Sequence, residues 1–267
     1  MIHRLSFTTA ISYLHFMKYN LFLLISVLVV FTACENTTED LVAESYKDYY
    51  PLQVGKFIAY RIDSTVFTKS GSMIETHKYQ VKHTVHAETT DNQGRKVFLV
   101  NRLIRDEAGT SAWLENGSYI VTPLSDRVEV TENNMRVIKL IDPLKAGFSW
   151  RGNAYLPSSP FRPPYDMDAG SDMNEWVFSY TNFGDTTVNG QQYQNVWTVA
   201  QNNHVLNFPV TPDTRIALKE VGLEKYAKNI GLVYKVFDLY EYQGPHADNP
   251  QGTYTGFGIT MWMIDHN

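Results

Sequence analysis

The sequence predicts a mainly β protein: a curved antiparallel sheet or partial β-barrel with at most one or two short helices. Three observations predict it. From Tyr49 onward the chain is a series of short apolar runs rich in Val, Ile, Thr, Tyr and Phe. Turn signals, among them Asn116-Gly117, Asn133-Asn134 and Asn189-Gly190, separate those runs. Two late segments are long for strands, and the last of them carries interior glycines, which permit strong bending.

Taken in order, Phe57–Phe67 reads as a first strand and the alternating Thr76–Glu88 as a second. Asp91-Asn-Gln-Gly94 is a turn, followed by a strand over Arg95–Arg105. Asn116-Gly117 tolerates the positive φ of a tight hairpin, so it is expected to join Ser111–Leu114 to Ser118–Val121. Asn133-Asn134 divides Arg127–Val130 from Met135–Leu140, and Asn189-Gly190 divides the strand begun at Trp176 from Tyr193–Ala200. Pro157, Pro160, Pro163 and Pro164 fix φ and remove donors, so Tyr155–Asp172 reads as a surface loop. Thr211-Pro212-Asp213 fits the start of a helix, while Gly222 and the alternation beyond it fit a strand; both readings stay open. Leu232–Tyr242 and Thr253–Ile264 are long strands. In the latter Phe257, Ile259, Met261 and Met263 share one face, with Gly256 and Gly258 on the other.

The chain begins differently. An apolar run, Leu21–Ala33, ends at Cys34, the single cysteine of 267 residues, and a polar acidic stretch follows. Crossing a bilayer takes roughly 20 residues of helix, so this run is short for a span. It resembles a bacterial lipoprotein signal peptide, with Lys18 as its positive region and Thr32 and Ala33 before the cut. Residues 1–33 are therefore expected to be a signal peptide, with Met17 as a candidate true start. The resemblance implies cleavage before Cys34 and lipidation of its sulfur. Residues 34–48 are then a flexible lipidated tether and 49–267 a single antiparallel β domain. Glu35 stands where an Asp is linked to inner-membrane retention, so the expectation is an outer-membrane lipid anchor, facing the periplasm or the surface.

Residues 1–33 hold Arg4 and Lys18 and no acid. Cleavage thus turns 23 basic and 28 acidic residues into 21 and 28, and the formal charge from −5 to −7. An acidic chain without a basic cluster argues against nucleic acid as a partner. With Cys34 lipidated, no intrachain disulfide, catalytic thiolate or Cys-based zinc site is available. The expected partners are the membrane, through the lipid, and an apolar ligand or an envelope protein complex. No cofactor is expected.

Tyr50-Pro-Leu-Gln-Val-Gly-Lys-Phe-Ile-Ala-Tyr60, Thr187–Val196, Tyr226-Ala-Lys-Asn-Ile-Gly-Leu-Val-Tyr-Lys235 and Gly256-Phe-Gly-Ile259 together resemble a family of Bacteroidetes-type envelope lipoproteins. The shared residues are Gly, Pro and aromatics, so the resemblance speaks for fold. By analogy it points to half-barrel lipoprotein carriers whose curved sheet cups an acyl chain. It carries over no catalytic residue.

Candidate sites are few. His77 and His83 face one way on their strand and His86 the other; the first two lie roughly 20 Å apart, too far to share a metal. They read as solvated or half-buried strand histidines. Asp166, Asp168 and Asp172 alternate in the Pro-rich loop and are weak calcium candidates, because the bidentate Glu of a calcium loop is missing. Tyr155, Phe161, Tyr165 and Trp176 flank or occupy that loop and are candidates for ligand or partner contact; the competing reading is that they pin the loop to the sheet. There is no Gly-x-Ser-x-Gly elbow and no His-Glu-x-x-His. The expectation is a non-catalytic envelope lipoprotein binding an apolar or amphipathic ligand or a partner protein. The alternative is a hydrolase acting on glycans or lipids. An interior apolar cavity of roughly 300 Å³ would favour the first; two buried carboxylates, or a Ser–His pair in hydrogen-bond reach, would favour the second.

Overall fold

The computed structural model describes residues 44–247 and 250–267. Their architecture is nearly all antiparallel β: twelve strands form one sheet that curls into a nearly closed barrel. The strands are β1 (Phe57–Thr68), β2 (Met73–Thr90), β3 (Lys96–Asp106), β4 (Leu114–Pro123), β5 (Arg127–Glu132), β6 (Met135–Ile141), β7 (Ser149–Arg151), β8 (Val177–Val188), β9 (Gln191–Leu206), β10 (Ile216–Ala227), β11 (Gly231–Gln243) and β12 (Thr253–His266). Consecutive strands pair except β6 and β7, and β1 pairs with β12, so β6 and β7 are the two edges.

Unpaired edges are a liability that closure relieves. Here the edges meet at a seam. The Ile138 N–H donates to the Gly152 carbonyl at 2.8 Å. The Trp150 indole N–H donates to the Ile138 carbonyl at 3.0 Å. The Tyr180 hydroxyl accepts the Ile141 N–H at 3.0 Å and donates to the Ile141 carbonyl at 2.9 Å.

Most of the expected strands are present, and Asn133-Asn134 and Asn189-Gly190 make tight hairpins with positive φ at both residues. Two expectations are corrected and one open choice is decided. First, Asn116-Gly117 lies inside β4, where the two residues bulge around Arg102, whose guanidinium donates to the Asn116 carbonyl at 2.8 Å. The hairpin lies earlier, because the Asp106 carboxylate gathers the Thr110 N–H, the Thr110 hydroxyl and the Ser111 N–H at 2.8–2.9 Å. Second, no helix follows Thr211: the chain turns there and enters β10. Third, the Pro-rich stretch is not simply a surface loop. Its Leu156, Met167 and Ala169 are buried, and it leads through a 3₁₀ turn, Met173–Glu175, into β8.

The boundary expected between residues 48 and 49 falls inside a short helix, α1 (Tyr46–Tyr49). Ser45 caps α1, and Tyr46 and Tyr49 are fully buried. Burying a large side chain contributes about 1.5–3 kcal/mol, enough to order a few residues. Tyr46 donates through its hydroxyl to the Leu124 carbonyl at 2.5 Å. The Tyr46 N–H and the Ser45 hydroxyl both donate to Asp142, at 2.7 and 3.0 Å. The Asn229 N–H donates to the Asp48 carbonyl at 2.6 Å. Thus α1 ties together the β4–β5, β6–β7 and β10–β11 connections, which lie at one end of the barrel. The Pro-rich loop covers the opposite end. The rest of the 34–48 segment, with Cys34 and the signal region, lies outside the described residues.

Candidate functional site

An eight-stranded barrel is just filled by its side chains, and wider barrels enclose space. Between its two plugs this twelve-stranded barrel holds two adjoining spaces. The one toward α1 has a volume of about 150 Å³ and is walled by Tyr50, Leu52, Ile58, Tyr60, Val85 and Tyr226. The one toward the Pro-rich loop has a volume of about 310 Å³ and is walled by Met135, Val137, Phe161, Phe237, Phe257 and Ile259. Val130, Glu132, Lys139 and Lys235 line both spaces and mark their junction.

Strand register builds the junction. Glu224 of β10 lies opposite Lys235 of β11, which lies opposite Met261 of β12. Alternation turns all three side chains inward. One Glu224 oxygen takes Lys139 of β6 at 2.5 Å, and Lys235 stands 3.8 Å from that same oxygen. The other oxygen accepts the Tyr226 hydroxyl at 2.6 Å. Burial draws the Glu224 carboxyl upward, but the charges of Lys139 and Lys235 outweigh it and hold the group below the usual glutamate value. Burial and the charge of Lys139 push Lys235 down, and Glu224 only partly offsets them.

Beside this trio, Arg102 pairs with Glu132. His83 shares a hydrogen bond of 3.0 Å with the Tyr119 hydroxyl and meets the Tyr60 and Tyr119 rings edge-on. Burial, with the positive charges of Arg102 and Lys235, brings His83 down to about 3, so its ring is neutral at neutral pH. Burial likewise holds the Tyr60 and Tyr226 phenols well above the ordinary tyrosine value. The belt therefore sets two lysines, the Glu224 carboxylate and neutral hydroxyls between two apolar chambers.

The residues singled out from sequence are dispersed. Phe161 lines the larger space and meets Phe257 edge-on, with centroids 5.1 Å apart. Tyr165 packs on Phe257 at 5.5 Å and buried Trp176 on Phe237 at 6.0 Å. These contacts hold the loop against β11 and β12. Tyr155 is 43% exposed and lies apart, with the Arg136 guanidinium 3.6 Å from its ring centroid. Exposed Asp166 pairs with Arg162 at 2.5 Å. Asp168 and Asp172 are also exposed, and Asp172 begins the 3₁₀ turn without capping it by its side chain. Among the described residues no three or more His, Cys, Asp or Glu side chains are grouped to hold a metal. Of the histidines, His77 pairs with Glu75 in the open, His86 is exposed, and His83 alone of the three lines the interior.

Lys139, Glu132, Arg102, Glu224 and Lys235 were not legible as a site. A signal for two of them exists: Glu224 and Lys235 each occupy a position whose alternation partners, Gly222 and Tyr226 or Val233 and Phe237, turn toward the core.

No protein-family model matches this sequence, and no curated protein sequence matches it. Among solved structures, the chain is similar to a protein of YmcC-like fold from Bacteroides fragilis, described as exported. The identity is 12% and the TM-score 0.38, covering 82% of this chain and 98% of that one. It is similar to a protein described as a lipoprotein from Parabacteroides distasonis at 10% identity and a TM-score of 0.38, with the same coverage of 82% and 98%. It is also similar to LprF from Mycobacterium bovis at 12% identity and a TM-score of 0.21, covering 79% of this chain and 85% of that one.

Proposed function

We propose that this chain is a lipid-anchored protein of the bacterial envelope whose barrel binds an amphipathic ligand without transforming it. The observation that carries the reading is the interior space of about 310 Å³, mostly apolar on its walls and charged at its junction with the second space. Ligand sites are typically pockets of this size and larger, mostly apolar with a few convergent polar groups.

Attachment rests on Cys34 and its preceding apolar run. No described helix is long and apolar enough to cross a membrane. The barrel's outer face carries ion pairs such as Lys219–Asp238 at 2.8 Å and Arg61–Asp63 at 3.3 Å. A membrane-spanning barrel instead presents an apolar band to lipid. The chain is thus better suited to hang from the outer membrane by its lipid than to span it.

Hydrolysis is the weaker reading. Two carboxylates, Glu224 and Glu132, do line the interior, but each is held by a cation. A glycosidase acid needs a raised pKa, and that of Glu224 is lowered.

The test is mass spectrometry of organic extracts from protein released gently from its own membrane, beside the Ile259→Trp variant, which fills the larger space. A stoichiometric amphipath present in the wild type and lost in the variant is expected. Its absence from both, together with no uptake of added amphipaths, would overturn the reading. Anchoring is tested separately: Cys34→Ser should abolish incorporation of labelled palmitate and release the protein from membranes.

A further inference from the structure

The charges at the junction do not balance. Lys139 and Lys235 share one carboxylate, Glu224, whose second oxygen is already taken by Tyr226. The other carboxylate lining the junction, Glu132, is engaged by Arg102. His83 contributes no negative charge in either form. One cation in excess is therefore left at the junction, in a chain whose overall formal charge is −5.

Geometry says which cation it is. Lys139 makes the 2.5 Å contact with Glu224, whereas Lys235 Nζ, at 3.8 Å, is beyond hydrogen-bond length from it. The Phe237 ring lies 5.5 Å from Nζ to the centroid, and the charges of Lys139 and Glu132 also reach the group. Lys235 lines both spaces, so its ammonium stands where the larger apolar chamber opens onto the polar belt. A half-buried ammonium with donors to spare is costly, and an anionic ligand group relieves that cost through charge-assisted hydrogen bonds.

Resting on the ligand-binding reading above, we propose that the ligand is a single-chain amphipath with one anionic head group. The head is held by Lys235, and the chain lies in the larger space against Phe161, Phe237, Phe257 and Ile259. Tyr226 and Tyr119 hydroxyls flank the belt as neutral polar neighbours. Lys139 stays on Glu224 and fixes that carboxylate away from the head.

The experiment uses residues 34–267 with Cys34→Ser, so that no lipid of the protein's own competes, after extraction of bound amphipaths. Decanoate, decyl phosphate, decan-1-ol and decylamine are titrated calorimetrically below their micellar concentrations. A charge-assisted hydrogen bond separates a charged from a neutral head by about tenfold. Decanoate or decyl phosphate should therefore bind about tenfold tighter than the alcohol, with the amine weakest, and the stronger of the two anions identifies the head as carboxylate or phosphate. Lys235→Met should remove the preference while leaving the alcohol's affinity within about twofold. Lys235→Arg, which keeps the charge, should retain it. Equal binding of anion, alcohol and amine by the unsubstituted protein would overturn the head-group assignment and leave the cavity's role standing. So would a preference that survives in Lys235→Met. Failure of all four amphipaths to bind would overturn the ligand-binding reading itself.

Discussion

Glu241 holds the backbone of Asp168. One carboxylate oxygen of Glu241 accepts the Asp168 N–H at 2.6 Å and the Ala169 N–H at 3.1 Å. The neighbouring strand repeats the device, with Glu220 accepting the Gly170 N–H at 2.6 Å. Both carboxylates are buried, so the Pro-rich loop is fastened over its end of the barrel by charge-assisted bonds as well as by aromatic packing. Asp168 thus matters for its amide.

Glu241→Gln should loosen that fastening. The second oxygen of Glu241 already accepts the Gln243 amide at 3.0 Å, so both oxygens face donors. A glutamine presents one acceptor and must turn its NH2 toward a donor on one side. The expected cost in urea unfolding is about 1–3 kcal/mol. Amide exchange of residues 168–170 should quicken more than that of β1 or β12. Unchanged exchange there would show that the aromatics alone hold the loop.

Removing Glu224 should cost more than removing either of its lysines. Glu224→Gln leaves two ammonium groups facing each other across the belt without a carboxylate, and a buried pair broken in this way costs about 3 kcal/mol. Combining it with Lys139→Met removes one of the two stranded cations, so the double variant should recover most of the loss. Urea midpoints for Glu224→Gln, Lys139→Met, Lys235→Met and the double variant decide the matter. A Glu224→Gln midpoint equal to that of the unsubstituted protein would mean that water already solvates the lysines.

The larger part of this architecture can be read from local pattern. Phe257, Ile259, Met261 and Met263 alternate, and their shared face is the barrel interior. Asn133-Asn134 accepts positive φ at both positions, at 51° and 61°, because short polar side chains tolerate that region. Asn116-Gly117 misleads for a physical reason: Asp106 builds a competing turn nearby, and the dipeptide is absorbed as a bulge around Arg102. The belt is illegible for another reason. Lys139 and Glu224 are separated by 85 residues and Arg102 and Glu132 by 30, so each charge looks solvated until register and closure bring its partner across. His83 looked like any strand histidine because its environment comes from β1 and β4 as well as its own strand.

His83 should make stability depend on pH. Its folded value is about 3, against an ordinary value of 6.5. The folded state therefore holds the ring neutral where the unfolded chain protonates it. The resulting stability is complete above pH 6.5 and is lost as pH falls toward 3, at about 1.4 kcal/mol per pH unit. Carboxylates also titrate in this range, so the comparison is with His83→Gln, which keeps a polar group and does not titrate. The margin between the two proteins should shift against the wild type by about 2 kcal/mol between pH 7 and pH 5. Parallel pH profiles would show that the ring is free to protonate in place.

The barrel's closure should draw on the Tyr180 hydroxyl. Tyr180 is fully buried, and its hydroxyl serves Ile141 twice, as acceptor for the N–H and as donor to the carbonyl. Tyr180→Phe keeps the ring, which packs 4.8 Å from Trp150 between centroids, and strips both bonds. Leaving such backbone groups unsatisfied costs about 1–3 kcal/mol. Elsewhere in the sheet a loss of this size would spread along a continuous ladder. Here the joints between the edges are discrete, among them the Ile138–Gly152 and Trp150–Ile138 bonds and Arg136 over the Tyr155 ring, so the effect should stay at the seam. Amide exchange of Ile138 and Ile141 should accelerate while the β1–β12 pairing keeps its protection. If protection instead falls evenly around the sheet, the barrel opens as one unit and the seam is not its weakest joint.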